Sequence, residues 1–207
     1  MALLIEYLTR GGWVMYPLLL CSIVALALTL YKLFEFKKLK LSDTHFADLF
    51  FNALENKDLA LALNNLKLTP SPVASIMEVA TKLCSANKLS APDIEIELER
   101  VGANLVGALN SWLRLLATII TLSPLLGLLG TVLGMIDVFR GIEIAGNQIN
   151  PALLGGGIWK ALLTTAFGLI IAIPYTVVYY YLDTEIEKCK ALMKNNVTRI
   201  IIYFKSC

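Results

Sequence analysis

Of the 207 residues, 57% are hydrophobic and only 16% charged, and the mean hydropathy is +0.68. That balance is too apolar for a water-soluble domain of this length, so the chain reads as an all-α membrane protein. Its 18 basic and 16 acidic residues leave a net charge of +2; nothing in it suggests nucleic-acid binding, and function has to follow from where the charges lie.

Three segments, residues 13–34, 115–139 and 161–182, carry the roughly 20 apolar helical residues needed to cross a hydrocarbon core of about 30 Å. The first follows Arg10 near the N-terminus. It is too long for a secretory signal, has no convincing small-residue cleavage site, and ends in a stop-transfer cluster of Lys32, Lys37, Lys38 and Lys40. Positive flanks stay on the cytoplasmic side, which predicts an outer N-terminus, an inner 42–114 segment, a short outer connection at 140–160 and an inner tail. The tail agrees, with Lys188, Lys190, Lys194, Arg199 and Lys205. Arg140 and Lys160 are outer exceptions at span ends, where long side chains snorkel.

The inner segment reads as helical, punctuated by "TPSP" and "LSAPD", each a serine before a proline and so a capped helix start. From the second, "DIEIELERVGANLVGALNSWLRLL" reaches span two without a strong breaker, which predicts one long helix leaving the membrane. Glu95, Glu97 and Glu99 on it read as a solvated face with an acidic first turn. The tail, "DTEIEKCKALMKNNVTRIIIYF", shows apolar residues at helical spacing and extends span three inward. Expected divisions are 1–40, 41–113, 114–182 and 183–207, with long cytoplasmic helical extensions and no separate enzyme domain.

Cys21, Cys84, Cys189 and Cys207 show neither paired nor metal-like spacing and read as reduced structural residues. His45, with Asp43 and Asp48 nearby, cannot make a metal site alone; no metal, cofactor or catalytic set is expected.

Span two places Gly127, Gly130 and Gly134 around Thr131, behind Pro124, in "PLLGLLGTVLGMID". Glycine weakens a helix interior by roughly 1 kcal/mol relative to alanine, so three of them ask for a reason. Small residues every three or four positions let helix backbones approach closely in lipid. Span three, "ALLTTAFGLIIAIP", adds Thr164, Thr165, Gly168 and Pro174. Threonine hydroxyls either bond back to their own helix or, at comparable mid-membrane depth as for Thr131 and Thr165, face a shared lumen. A proton path needs a titratable group, yet no acid occupies the middle of a span: Asp137 lies at the outer end of span two and Glu143 in the outer connection.

"PLLGLLGTVLGMIDVF" followed by "NPALLGGGIWKALLTTAFGLIIAIP" resembles the signature of the MotA/TolQ/ExbB proton-channel proteins, and the three-span layout is similar to ExbB and TolQ rather than four-span MotA. The resemblance is strong over residues 115–181, about a third of the chain; the rest matches by layout. It implies an inner-membrane homopentamer surrounding a dimeric, single-span ExbD- or TolR-like partner whose transmembrane aspartate carries the proton. Family threonines lining the lumen map onto Thr131 and Thr165, with Thr164 beside them, while the glycines let neighbouring helices pack into a ring. A TonB-like envelope-spanning protein and membrane lipid complete the expected partners. The chain departs from the family at Lys160, where ExbB and TolQ types often carry glutamate; either that glutamate is dispensable or Lys160 pairs with an acid such as Asp137 or Glu143. A TolQ-like role in envelope constriction and a non-conducting membrane scaffold are the alternatives to ExbB-like uptake.

Overall fold

The computed structural model describes residues 12–39, 41, 45–86, 89–145 and 151–206, and among them the secondary structure is wholly helical. The seven helices are α1 (Met15–Leu39), α2 (His45–Glu55), α3 (Leu59–Lys67), α4 (Pro72–Ala86), α5 (Ala91–Leu109), α6 (Leu113–Ala145) and α7 (Pro151–Ser206). Three of them, α1, α6 and α7, contain windows long and apolar enough to cross a membrane, so the all-α, three-span reading holds. Arg10, Lys40, Asp43 and Cys207, named in the sequence reading, lie outside the described residues.

The chain divides into two compact units. One comprises the residues up to Leu30 and Trp112–Tyr180; the other comprises Tyr31–Ser111 and the residues from Tyr181 on.

In the first unit, Val14, Met15 and Leu18 of α1 bury against Ile171 of α7, flanked by Leu126, Leu133, Phe167 and Tyr175. A second cluster joins Ala25 of α1 to Leu116 and Ile119 of α6. Only 22–28% of each apolar window is buried inside the chain. The outward apolar surface, including Leu20, Ile23, Leu128, Ile136, Ile170 and Val177, therefore needs lipid or neighbouring protein to cover it.

In the second unit, α7 supplies a buried stripe of Leu182, Ile186, Cys189, Met193, Asn196 and Ile200. Their spacing alternates four and three residues, which keeps one face of a helix turned to its neighbours. Tyr203 extends that face, donating its hydroxyl to the Leu54 carbonyl of α2 at 2.7 Å. The Arg199 guanidinium lies 3.7 Å from the centroid of the Phe51 ring, a cation–π contact. The tail and span three thus form one 56-residue helix, as the pattern predicts.

Both proline-marked starts are capped. Ser90 is the N-cap of α5, accepting from the Asp93 N–H, and Ser71 accepts from Val73 N–H at 3.3 Å. Along α5, Glu97 pairs with Arg100 at 2.6 Å and Glu95 approaches Lys205 at 4.0 Å, on an exposed face.

One expectation fails. The uninterrupted helix from residue 93 into span two is broken at residues 110–112. α5 ends at Leu109; the Asn110 N–H still reaches the Val106 carbonyl, and Ser111 N–H reaches Ala108. Trp112 then turns left-handed, with φ of 66°, a conformation that costs a bulky residue roughly 1–2 kcal/mol. Its carbonyl accepts from Leu116 N–H and so starts α6. The long-range reason is Lys32. It is not a solvated member of the basic flank but is 1% exposed, donating from Nζ to the Leu109 carbonyl at 2.9 Å. A cation there satisfies the last carbonyl of α5 and complements the negative end of its dipole. Glu35 balances the charge, 2.6 Å from the same nitrogen, and the Tyr31 and Phe36 rings stand about it at 5.9 and 5.8 Å.

Candidate functional site

The small residues of spans two and three lie against one another within the first unit. α6 and α7 run in antiparallel register, so that Gly134 meets Ala161, Gly130 meets Thr164, Gly127 meets Thr164 and Thr165, and Ser123 meets Gly168. A Cβ on Gly127 would stand 2.9 Å from the Thr164 carbonyl oxygen and from Thr165 Cα, both backbone atoms. A Cβ on Gly130 would collide with Oγ1 of Thr164 and stand 2.6 Å from its Cβ. Gly134 and Gly168 continue the close approach, at 2.8 Å to Ala161 Cβ and 2.5 Å to the Ser123 carbonyl oxygen. The neighbour that these glycines admit is therefore a helix of the same chain. The contacts described at these four positions are made within one chain.

Glycine at these places brings carbonyls and hydroxyls of facing helices within hydrogen-bond range. Thr165 donates across to the Gly127 carbonyl at 3.0 Å. Thr164, 1% exposed, has its Oγ1 2.7 Å from the Ala161 carbonyl on its own helix and 3.2 Å from the same Gly127 oxygen. Thr131 donates to Leu128 in its own helix at 2.6 Å. Because Gly130 faces Thr164, Thr131 and Thr165 lie within about one helical turn of each other along the bundle. Thr131 and Thr165 are each half-buried, whereas Thr164 is sealed into the helix contact.

The other candidates separate by position. Pro124 and Pro174 sit inside α6 and α7, each withdrawing one N–H from the helical ladder. Pro124 is half-buried; Pro174 is exposed and takes no part in the glycine contact. Asp137 and Glu143 are exposed. Among the described residues no ion pair joins Lys160 to either of them. The structure instead brings Lys160 to the chain ahead of α1, where a Cβ on Gly12 would stand 3.0 Å from Lys160 Cε and 3.3 Å from Nζ. Gly12 has φ of 78°, a left-handed value that glycine adopts without strain.

Three contributors escape the motif reading. Gly157 lies against Val138, whose Cγ2 a Cβ would strike; Ala161 faces Gly134; and fully buried Ser123 presents its carbonyl to Gly168 while its hydroxyl bonds Ile119 at 2.7 Å. The available signal is the small-residue series 157, 161, 164, 168, which carries the motif one turn further back than "ALLTT".

Chemically the site offers hydroxyls and carbonyls in an apolar setting. Each threonine hydroxyl has one proton to give and two lone pairs, and here every proton is directed to a backbone carbonyl. What Thr131 and Thr165 retain is acceptor capacity.

The model of the MotA/TolQ/ExbB proton channel family matches residues 60–195, which takes in the whole α6–α7 contact. The chain is similar to a biopolymer transport protein described as an ExbB homolog in Methanothermobacter thermautotrophicus, 29% identical over 195 residues, 92% of this chain and 68% of that protein. It is also similar to biopolymer transport protein exbB1 of Vibrio cholerae, 38% identical over 96 residues, 46% of this chain and 42% of that one. A third relative, an ExbB-like biopolymer transport protein of Synechocystis, is 32% identical over 176 residues, 82% of this chain and 66% of its own. The match thus spans less than half the length of the Vibrio relative.

Proposed function

We infer, from the premise that this chain belongs to the MotA/TolQ/ExbB proton channel family, that it is the membrane channel subunit of an ExbB/ExbD-type complex that powers biopolymer transport. The observation that carries the reading is the α6–α7 contact, where glycine-permitted packing holds Thr131 and Thr165 half-buried at similar depth with lone pairs to spare. The apolar middle of each span supplies no acid of its own, and an intramembrane carboxyl is costly enough to be placed only where function requires it. The titrating group therefore comes from a single-span, aspartate-bearing partner of the ExbD or TolR kind.

In this reading five copies of the chain surround two partner helices in the inner membrane, with the N-terminus periplasmic and the C-terminus cytoplasmic. The protonated aspartate donates to the free lone pairs of Thr131 and Thr165 as it crosses the apolar zone. Each charge falling through 100 mV releases about 2.3 kcal/mol, which moves the partner helices and, through them, a TonB-like envelope-spanning protein. The reading asks no covalent chemistry of this chain. Lys160, in the outer part of α7, raises the potential met by entering cations.

One observation favours the competing scaffold reading: all three threonine hydroxyls have partners inside their own chain. Thr165→Val keeps the side-chain shape and removes the hydroxyl, which separates the two readings. The channel reading predicts loss of proton-motive-force-dependent uptake in cells while the complex still purifies intact; unchanged uptake would leave a scaffold.

A further inference from the structure

We propose that Trp112 is a membrane-surface anchor: its indole lies in the headgroup layer of the leaflet that α6 enters first, with Arg114 on the lipid phosphates. The proposal stands on the first unit alone and does not need the proton-path reading. The turn from α5 into α6 puts residue 112 at φ of 66°, a left-handed value that glycine or asparagine adopts most cheaply. Tryptophan is strained there. It gains little from its own chain in return, because it is 55% exposed while the next residue, Leu113, is 3% exposed. What offsets the strain lies outside the chain.

Position identifies it. Trp112 opens the stretch Trp112–Tyr180 of the first unit and directly precedes the apolar span that begins at Leu113. α6 and α7 are antiparallel, with Gly134 against Ala161 and Ser123 against Gly168, and that register brings Trp112 level with the residues around Tyr180. Tyr180 is itself exposed, and α7 exposes a second tryptophan, Trp159, toward its other end. At 1.5 Å per residue Trp159 and Tyr180 are about 31 Å apart along the helix, the thickness of a hydrocarbon core of about 30 Å. Between them α7 turns outward Leu162, Ile170, Ile173 and Val177. An apolar band of that height, closed at each end by exposed amphipathic rings, is the pattern of a surface that meets lipid. A cation follows each tryptophan: Lys160 after Trp159, and exposed Arg114 two residues after Trp112. Arg114 has no ion pair among the described residues. The headgroup layer offers a partner for the indole N–H and counter-charge for Arg114, whereas an apolar helix face of a second copy offers neither.

The test is tryptophan fluorescence of the whole chain in phospholipid vesicles. The protein has three tryptophans, so Trp13→Phe together with Trp159→Phe leaves Trp112 as the only one. Trp112→Phe in the otherwise native chain gives the same signal by difference if the double variant does not fold. Nitroxide-labelled phospholipids carry the quencher either near the glycerol or near the chain end, and acrylamide quenches from water. The proposal expects the shallow label to quench Trp112 at least about twofold more than the deep label, and acrylamide to quench it less than free tryptophan. Full acrylamide access without lipid quenching would place the indole in water. Stronger quenching by the deep label would place it in the core, and quenching by none of the three would mean that protein covers it; each of these results overturns the anchor. Arg114→Gln tests the second half. When the shallow label is carried on an anionic lipid, the native chain is expected to be quenched more than with a zwitterionic one, and the variant to lose that preference. The same preference in both would overturn the role of Arg114.

Discussion

Gly127 and Gly107 show what decides whether a glycine in a helix is a weakness or a requirement. A Cβ on Gly127 meets two backbone atoms at 2.9 Å, whereas one on Gly107, on the exposed side of α5, meets nothing within 4 Å. Backbone cannot swing aside as a flexible side chain does. Gly127→Ala is therefore expected to force α6 and α7 apart and destabilise the detergent-solubilised protein by about 1–3 kcal/mol. Gly107→Ala should stabilise it by up to about 1 kcal/mol through helix propensity and reduced unfolded-chain entropy. Thermal unfolding of the two variants checks this; equal shifts in the same direction would count against close packing as the role of Gly127. The sequence marks Gly127, Gly130, Gly134 and Gly168 as special because they recur at helical spacing in an apolar run. It does not name the helix they meet, since that depends on an antiparallel register set by both spans together, and the same uncertainty hid Gly157 and Ser123.

At the scale of elements, span length and apolarity made α1, α6 and α7 legible, because roughly 20 uncharged residues admit few other readings. Serine-proline starts made α4 and α5 legible for an equally local reason. The break at residues 110–112 was not, since "LNSW" holds neither glycine nor proline, and the turn is stabilised by a lysine 77 residues earlier in the chain. Lys32 itself looked like one more positive flank; only its burial reveals a cap for α5. Replacing it by methionine keeps the stem and removes the charge, leaving the Leu109 carbonyl and Glu35 without their donor. We expect Lys32→Met to cost about 1–3 kcal/mol and to raise amide hydrogen exchange in the last turn of α5, and Lys32→Arg to recover part of it. Unaltered exchange at residues 106–109 in the methionine variant would mean the turn holds without the cap.

For the whole molecule, membrane residence and family follow from features spread along the chain, three apolar helices and a family match over residues 60–195. The working assembly does not, because in the proposed reading the group that titrates belongs to another polypeptide. A chain that buries only about a quarter of each apolar window by itself has outward surface to give to lipid and to further copies. The central claim is that this subunit conducts protons only together with an acid supplied in trans. Its most direct measurement is proton influx, under an imposed membrane potential, into vesicles containing this chain alone, the chain with its single-span partner, and the pair with the partner's transmembrane aspartate changed to asparagine. The account predicts influx in the second preparation and none in the first and third. Influx through the chain alone, or undiminished influx with the asparagine partner, would contradict it.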